Sequence, residues 1–255
     1  MKQTIRDSIG RPAVRRGPLA VLVAVSIALS VELAAPRLNG SDDILQRTRA
    51  MYAALHSYAD TGVVLRQYSS TQERHTFTTY YKAPRPFYFD FHKETGDRFV
   101  IWSDDKAFHS WWKATGVQDD YPRGRGVNVF LPADFVTAGS ALKIPALLFS
   151  QSGLQGAFAN FTDAALDGKE DVGGRTCYRL AGTTKDLYPG TGREVNIRAM
   201  TVWVDAESLL IRKVLEETPK GTAPAAMIRT TTTFEPRANP PLDDSHFQFA
   251  APASK

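Results

Sequence analysis

The sequence predicts a mainly β (α+β) fold: an antiparallel sheet of about ten strands, entered by one helix and interrupted once by a second helical stretch. Three observations predict it. Apolar and polar side chains alternate along short segments that recur through most of the chain; a helical stripe precedes the first of them; and residues 131–149 break the alternation with clustered Leu and Ala around Pro145.

Taken in order, residues 1–30 read as a secretory signal. Lys2, Arg6, Arg11, Arg15 and Arg16 precede an apolar run from Pro18 to Leu29 that ends in small residues, Ala28-Leu29-Ser30. An uncleaved inner-membrane anchor facing the periplasm is the alternative, although a spanning helix needs about 20 apolar residues and this run meets Glu32. Residues 31–41 form a linker, 42–252 a single domain and 253–255 a tail. Ser41-Asp42-Asp43 supplies N-cap chemistry for a helix running to His56, with Ile44, Leu45, Thr48, Met51, Tyr52 and Leu55 on one stripe. Asp60-Thr61-Gly62 ends that pattern.

Five strands are expected before the interruption, at 62–68, 75–82, 86–92, 98–103 and 106–113, and five after it, at 163–166, 176–184, 194–205, 209–217 and 226–235. Phe87, Phe89 and Phe91 take one face, Tyr88, Asp90 and His92 the other. Ser103-Asp104-Asp105-Lys106 forms a hairpin turn between Trp102 and the arm carrying Phe108, Trp111 and Trp112. A sheet this wide curls, and the helical insertion at 131–149 has its concave face on which to lie, which makes a pocket with a lid.

Composition narrows the function classes. The chain has 31 Lys+Arg and 27 Asp+Glu; residues 1–30 hold five of the former and only Asp7 of the latter, so the remainder carries 26 of each and no net charge. The basic balance belongs to the leader, which removes the electrostatic case for a nucleic-acid partner. Cys177 is the only cysteine, so no intrachain disulfide forms, and its strand setting suits a small buried hydrophobe rather than a nucleophile.

Several motifs then carry a resemblance. Ser57-Tyr58-Ala59-Asp60-Thr61-Gly62 after the opening helix, Lys82-Ala83-Pro84-Arg85-Pro86-Phe87, the hairpin Trp102-Ser103-Asp104-Asp105-Lys106-Ala107-Phe108, Val202-Trp203-Val204-Asp205 followed by Leu209 to Lys213, and Phe234-Glu235-Pro236 with Phe247-Gln248-Phe249 stand in the order found in one family. Over residues 42–252 the chain resembles the bacterial lipoprotein-localisation factors (LolA- and LolB-like proteins) and the related outer-membrane lipoprotein-sorting proteins. The resemblance implies a half-open curved β-barrel with helices over its mouth and an apolar cavity for acyl chains. It also implies a periplasmic, monomeric, non-catalytic carrier with transient membrane contact, no cofactor, and a lipid or an acylated protein as partner. The family extends to an envelope-stress regulator and to an enzyme of pigment biosynthesis, so a sensor binding an envelope protein and an enzyme on an apolar substrate are the alternatives.

The cavity candidates are Trp102, Phe108, Trp112, Leu142, Leu147, Leu148, Phe149 and Trp203. Trp111 and Trp112 are adjacent, so only one can face inward. Arg123, Arg125 and Arg193 are candidates for lipid head-group contacts at the rim. His75, His92 and His109 recur on consecutive strands but bring no H-x-x-x-H spacing, and are expected as exposed strand residues, not metal ligands. Asp104-Asp105 and Asp119-Asp120 are expected in turns. Gly124-Arg125-Gly126 and Pro189-Gly190-Thr191-Gly192-Arg193 lack the G-K-[ST] of a phosphate loop, and no G-x-S-x-G stands anywhere.

Overall fold

Helix α1, Ser41–Ala53, has Asp42 and Asp43 in its first turn, where carboxylates complement the helix dipole, and buries Ile44, Leu45, Thr48 and Tyr52 at helical spacing. It ends a turn before the expected His56, because distant residues claim the backbone that follows. The N–H groups of His56 and Ser57 both donate to Asn239 Oδ1, at 2.8 and 3.2 Å, and the His56 carbonyl accepts from the Ala83 N–H at 2.7 Å. Asp60-Thr61-Gly62 therefore lies inside a strand and does not precede one.

The computed structural model describes residues 40–103, 106–122, 136–137, 141–149, 156–158, 160–187, 194–218 and 228–252. Its strands are β1 Ser57–Gln67, β2 Gln72–Lys82, β3 Phe87–Lys93, β4 Arg98–Ser103, β5 Ala107–Trp112, β6 Val117–Pro122, β7 Phe161–Val172, β8 Arg175–Leu187, β9 Glu194–Asp205, β10 Ile211–Glu217, β11 Arg229–Phe234 and the short β12 Arg237–Ala238. They make one antiparallel sheet in the order β6-β5-β4-β3-β2-β1-β11-β10-β9-β8-β7, with β12 beside β1. Strands β6 and β7 end the order without pairing to each other, so the sheet is a curved, half-open barrel.

Among the described residues twelve strands stand where about ten are expected. The added β6 contains Asp119-Asp120, which is strand and not turn. An edge position tolerates both its charge and Pro122, because one side of the strand needs no ladder. Its pairing with β5 is regular, from Trp112 opposite Val117 to Ala107 opposite Pro122.

Gly62 marks the closest packing within the sheet. A Cβ there would stand 2.5 Å from the Thr233 carbonyl oxygen and would overlap the Phe77 ring, so only glycine leaves room for that ring on the inner face.

Among the described residues no helix is long and apolar enough to cross a membrane. The leader 1–30, most of the linker and the 253–255 tail lie outside the described residues.

Candidate functional site

Register assigns the inner face. Tyr58, Tyr81, Phe87 and Phe108 form one cross-strand row, Phe77, Phe91, Phe99 and Trp112 another, and Val64, Val202 and Leu180 continue the face on the other half of the sheet. The wall is apolar and mostly sealed: Phe87, Phe89 and Phe91 are wholly buried.

What seals it is a short helical cap. A 3-10 turn at Ala141–Lys143, helix α2 at Pro145–Leu148 and a second 3-10 turn at Gly156–Phe158 lay Leu142, Ile144, Leu147, Leu148 and Phe158 into the same core as the inner face. Pro145 opens α2, where its missing N–H costs nothing. Phe149 follows, and its ring meets those of Tyr81, Phe87 and Phe108 edge-on at 5.3, 5.3 and 5.5 Å. An ionic tie also joins cap to sheet: Lys143 Nζ stands 3.2 Å from Glu216 Oε1 on β10, which Arg198 of β9 approaches at 3.7 Å. Glu216 is buried.

At the Phe99–Trp112 row the inner face opens. A half-open cavity of about 450 Å³ lies against β3 to β6, with Phe99, Trp112 and Val136 as apolar walls and Lys93, Ser110 and Asp119 as polar ones. Trp112 is held by its Nε1, which donates to Asp97 Oδ2 at 2.8 Å.

The sequence-predicted residues therefore divide. Phe108, Trp112, Leu142, Leu147, Leu148 and Phe149 converge on the inner face under or beside the cap. Trp102 and Trp203 do not, and their assignment to the cavity is corrected. Trp102 pairs with Tyr88 and His109 on the outer face, in a cluster with Val100 and Trp111, covered by Phe249 of the C-terminal segment at 4.8 Å. Trp203 lies on the outer face of the other half, packed with Cys177 and Leu215, its Nε1 donating to Glu170 at 3.0 Å and Lys213 Nζ 4.1 Å from its ring. Arg123, Arg125 and Arg193 lie outside the described residues, as do the glycine-rich loops that carry them and the Asp104-Asp105 pair.

The histidines separate as well. His75 faces inward and is buried rather than exposed, with burial lowering its pKa, while His92 and His109 point outward to Asp90 and Asp120. Among the described residues no three His, Cys, Asp or Glu side chains gather as a metal site. Burial pushes the Cys177 thiol up to about 11, as suits an inert core cysteine.

Sequence reasoning missed Asp60. It faces inward from β1, 2% exposed, accepting from Tyr58 Oη at 2.7 Å, while its other oxygen and the Thr79 hydroxyl on the facing strand are buried without a hydrogen bond. Burial raises its carboxyl to about 6. Tyr52 of α1 lies against the same group, its ring 5.8 Å from that of Tyr58 and its Oη accepting from the Ile211 N–H at 3.0 Å. An Asp at an inward position of an otherwise alternating strand was the signal available.

No family model and no curated protein matches the sequence. Solved structures do. The structures include a LolA superfamily protein from Nitrosomonas europaea (8% identity, TM-score 0.33, covering 82% of this chain and 98% of that one). They also include the Mycobacterium tuberculosis lipoprotein LppX (13%, 0.43, 80% and 98%) and the MucA/MucB complex of Pseudomonas aeruginosa (15%, 0.44, 83% and 62%). The match thus spans 62% of that last chain.

Proposed function

We propose that the protein is an exported, non-catalytic carrier that holds a lipid, or the acyl chains of a lipoprotein, between the cap and the inner face of the sheet. The observation that carries this reading is the seating of Phe149: a cap that ends in an aromatic side chain inserted among Tyr81, Phe87 and Phe108, on the same inner face whose Phe99 and Trp112 line a half-open cavity. Lifting such a cap exposes a continuous aromatic wall, and an acyl chain laid along that wall covers the same rings. Burying each leucine of the cap is worth roughly 1.5–3 kcal/mol, so a ligand of a dozen or so methylenes, each about 0.8 kcal/mol, is an adequate substitute. The basic and apolar leader supports export. Asp60, raised to about 6 by burial, supports binding over catalysis, since it is buried against Tyr58 and is not among the residues that line the cavity.

The test is mass spectrometry of an organic extract from protein purified natively without detergent. The expected result is an amphiphile in near-stoichiometric amount. An extract free of amphiphiles, from protein that also fails to take up a fluorescent fatty acid, ends this reading.

A further inference from the structure

The cavity is not uniformly apolar, and its polar side has an order. His75 on β2 lies directly opposite Lys93 on β3 and Val64 on β1, and Arg66 stands two residues beyond Val64 on the same face. Neighbouring strands are about 4.8 Å apart. Three nitrogen-bearing side chains from three adjacent strands thus gather at one end of the inner face, where the Phe91, Phe99 and Trp112 row stops.

Their hydrogen-bonding capacity is only partly used. Lys93 lines the cavity, with Nζ 5.9 Å from the centre of the Trp112 ring and 3.4 Å from Asp97 Oδ2. That carboxylate is already shared: Oδ2 accepts from Trp112 Nε1 and Oδ1 from the Arg98 N–H. An ammonium has three donors, and Asp97 occupies one of them. Behind Lys93, His75 Nδ1 and Arg66 Nε are buried without a hydrogen-bond partner, and His75 is 6% exposed. The carboxylate nearest His75 is Glu73, 3.4 Å from Nε2 and 47% exposed. Asp119 lines the β6 wall of the same cavity and repels an anion there, which directs negative charge to the β2–β3 side.

We infer that the Lys93 end of the cavity is a head-group site, selecting an amphiphile whose acyl chain ends in an anionic group, a carboxylate or a phosphate. The anion takes the free donors of Lys93, with the edges of His75 and Arg66 behind it, while the chain runs along Phe99 and Trp112 toward the cap. This inference rests on the carrier reading.

The test uses the full chain with cis-parinaric acid and its methyl ester, which share a chain and differ in charge. The acid is expected to bind about tenfold more tightly, the scale of one charge-assisted hydrogen bond. Lys93→Met should abolish the preference, so that acid and ester bind with the same affinity. Competition by laurate against dodecyl phosphate separates the two anions, the stronger competitor identifying the head group. Equal binding of acid and ester by the unaltered protein, or an equal loss of both in Lys93→Met, overturns the head-group site and leaves the carrier reading standing. Binding of neither probe overturns the carrier reading, and this site with it.

Discussion

The two faces of the sheet are both rich in aromatic rings, yet they are covered in different ways. On the inner face Tyr81, Phe87 and Phe108 are closed over by a cap of short helical turns, held by apolar packing and by the Lys143–Glu216 pair. On the outer face each tryptophan has fixed local partners. Trp102 and Trp111 lie under Phe249, itself 5.3 Å from the Arg98 guanidinium carbon, and Trp203 sits between Glu170, Lys213 and Arg179, the last also paired to Asp167. Aromatic content therefore does not distinguish a ligand wall from a structural one. The carrier reading rests instead on the kind of cover: a short cap can lift as a unit, whereas Trp203 is tied within the sheet itself to Glu170, Arg179 and Lys213.

Leu148→Asp tests that difference most severely. It should weaken binding of a fluorescent fatty acid at least about tenfold and cost no more than about 3 kcal/mol in a urea melt, since the cap detaches locally. A variant that fails to fold, or one that folds and binds the probe as before, would show that the cap is ordinary core.

Asp60→Asn probes the inner wall itself. The folded-state pKa of Asp60 lies above its unfolded value, so its contribution to stability is fully present below about pH 4 and is lost as pH rises through about 6. The loss amounts to roughly 3 kcal/mol by pH 7.5. Asn does not titrate, so the variant should gain on the natural protein by about that much between pH 3.5 and pH 7.5 when urea midpoints are compared. A stability difference that does not change with pH contradicts a buried, high-pKa carboxyl.

The smallest effect belongs outside. Phe249→Ala should cost about 1–2 kcal/mol, because it removes the ring packed on Trp102 and Trp111, and should leave acyl-probe affinity unchanged. Altered probe binding would mean that the faces are coupled.

The same contrast explains what could be read from the sequence. Phe87, Phe89 and Phe91 alternate with polar residues, so their face was legible, as was the opposition of Trp111 and Trp112. In Phe99-Val100-Ile101-Trp102 and in Val202-Trp203-Val204 every position is apolar, because both faces are covered there, and alternation carries no parity. Trp102 and Trp203 were misassigned for that reason. Strand β6 was missed because Asp119, Asp120 and Pro122 are turn formers by local preference, and only pairing with β5 makes them strand. The buried setting of His75 and the tie between Lys143 and Glu216 depend on segments far apart in sequence, which no local pattern encodes.

Strand β1 lies between β2, its neighbour in sequence, and β11, near the end of the chain; Gln67 is opposite both Gln72 and Arg229. The seam in the middle of the barrel is thus among the last parts of the sheet that can be made, followed only by the short β12. A chain emerging in sequence order forms the β1–β6 meander with one flank of β1 bare, and holds Phe77 and Gly62 without Phe234 across from them, until the whole of β11 has followed. Pairings this distant close slowly. For as long as the seam is open, that flank is a free edge to which a foreign strand can add, so the half-made sheet, more than the finished one, is exposed to wrong pairing there.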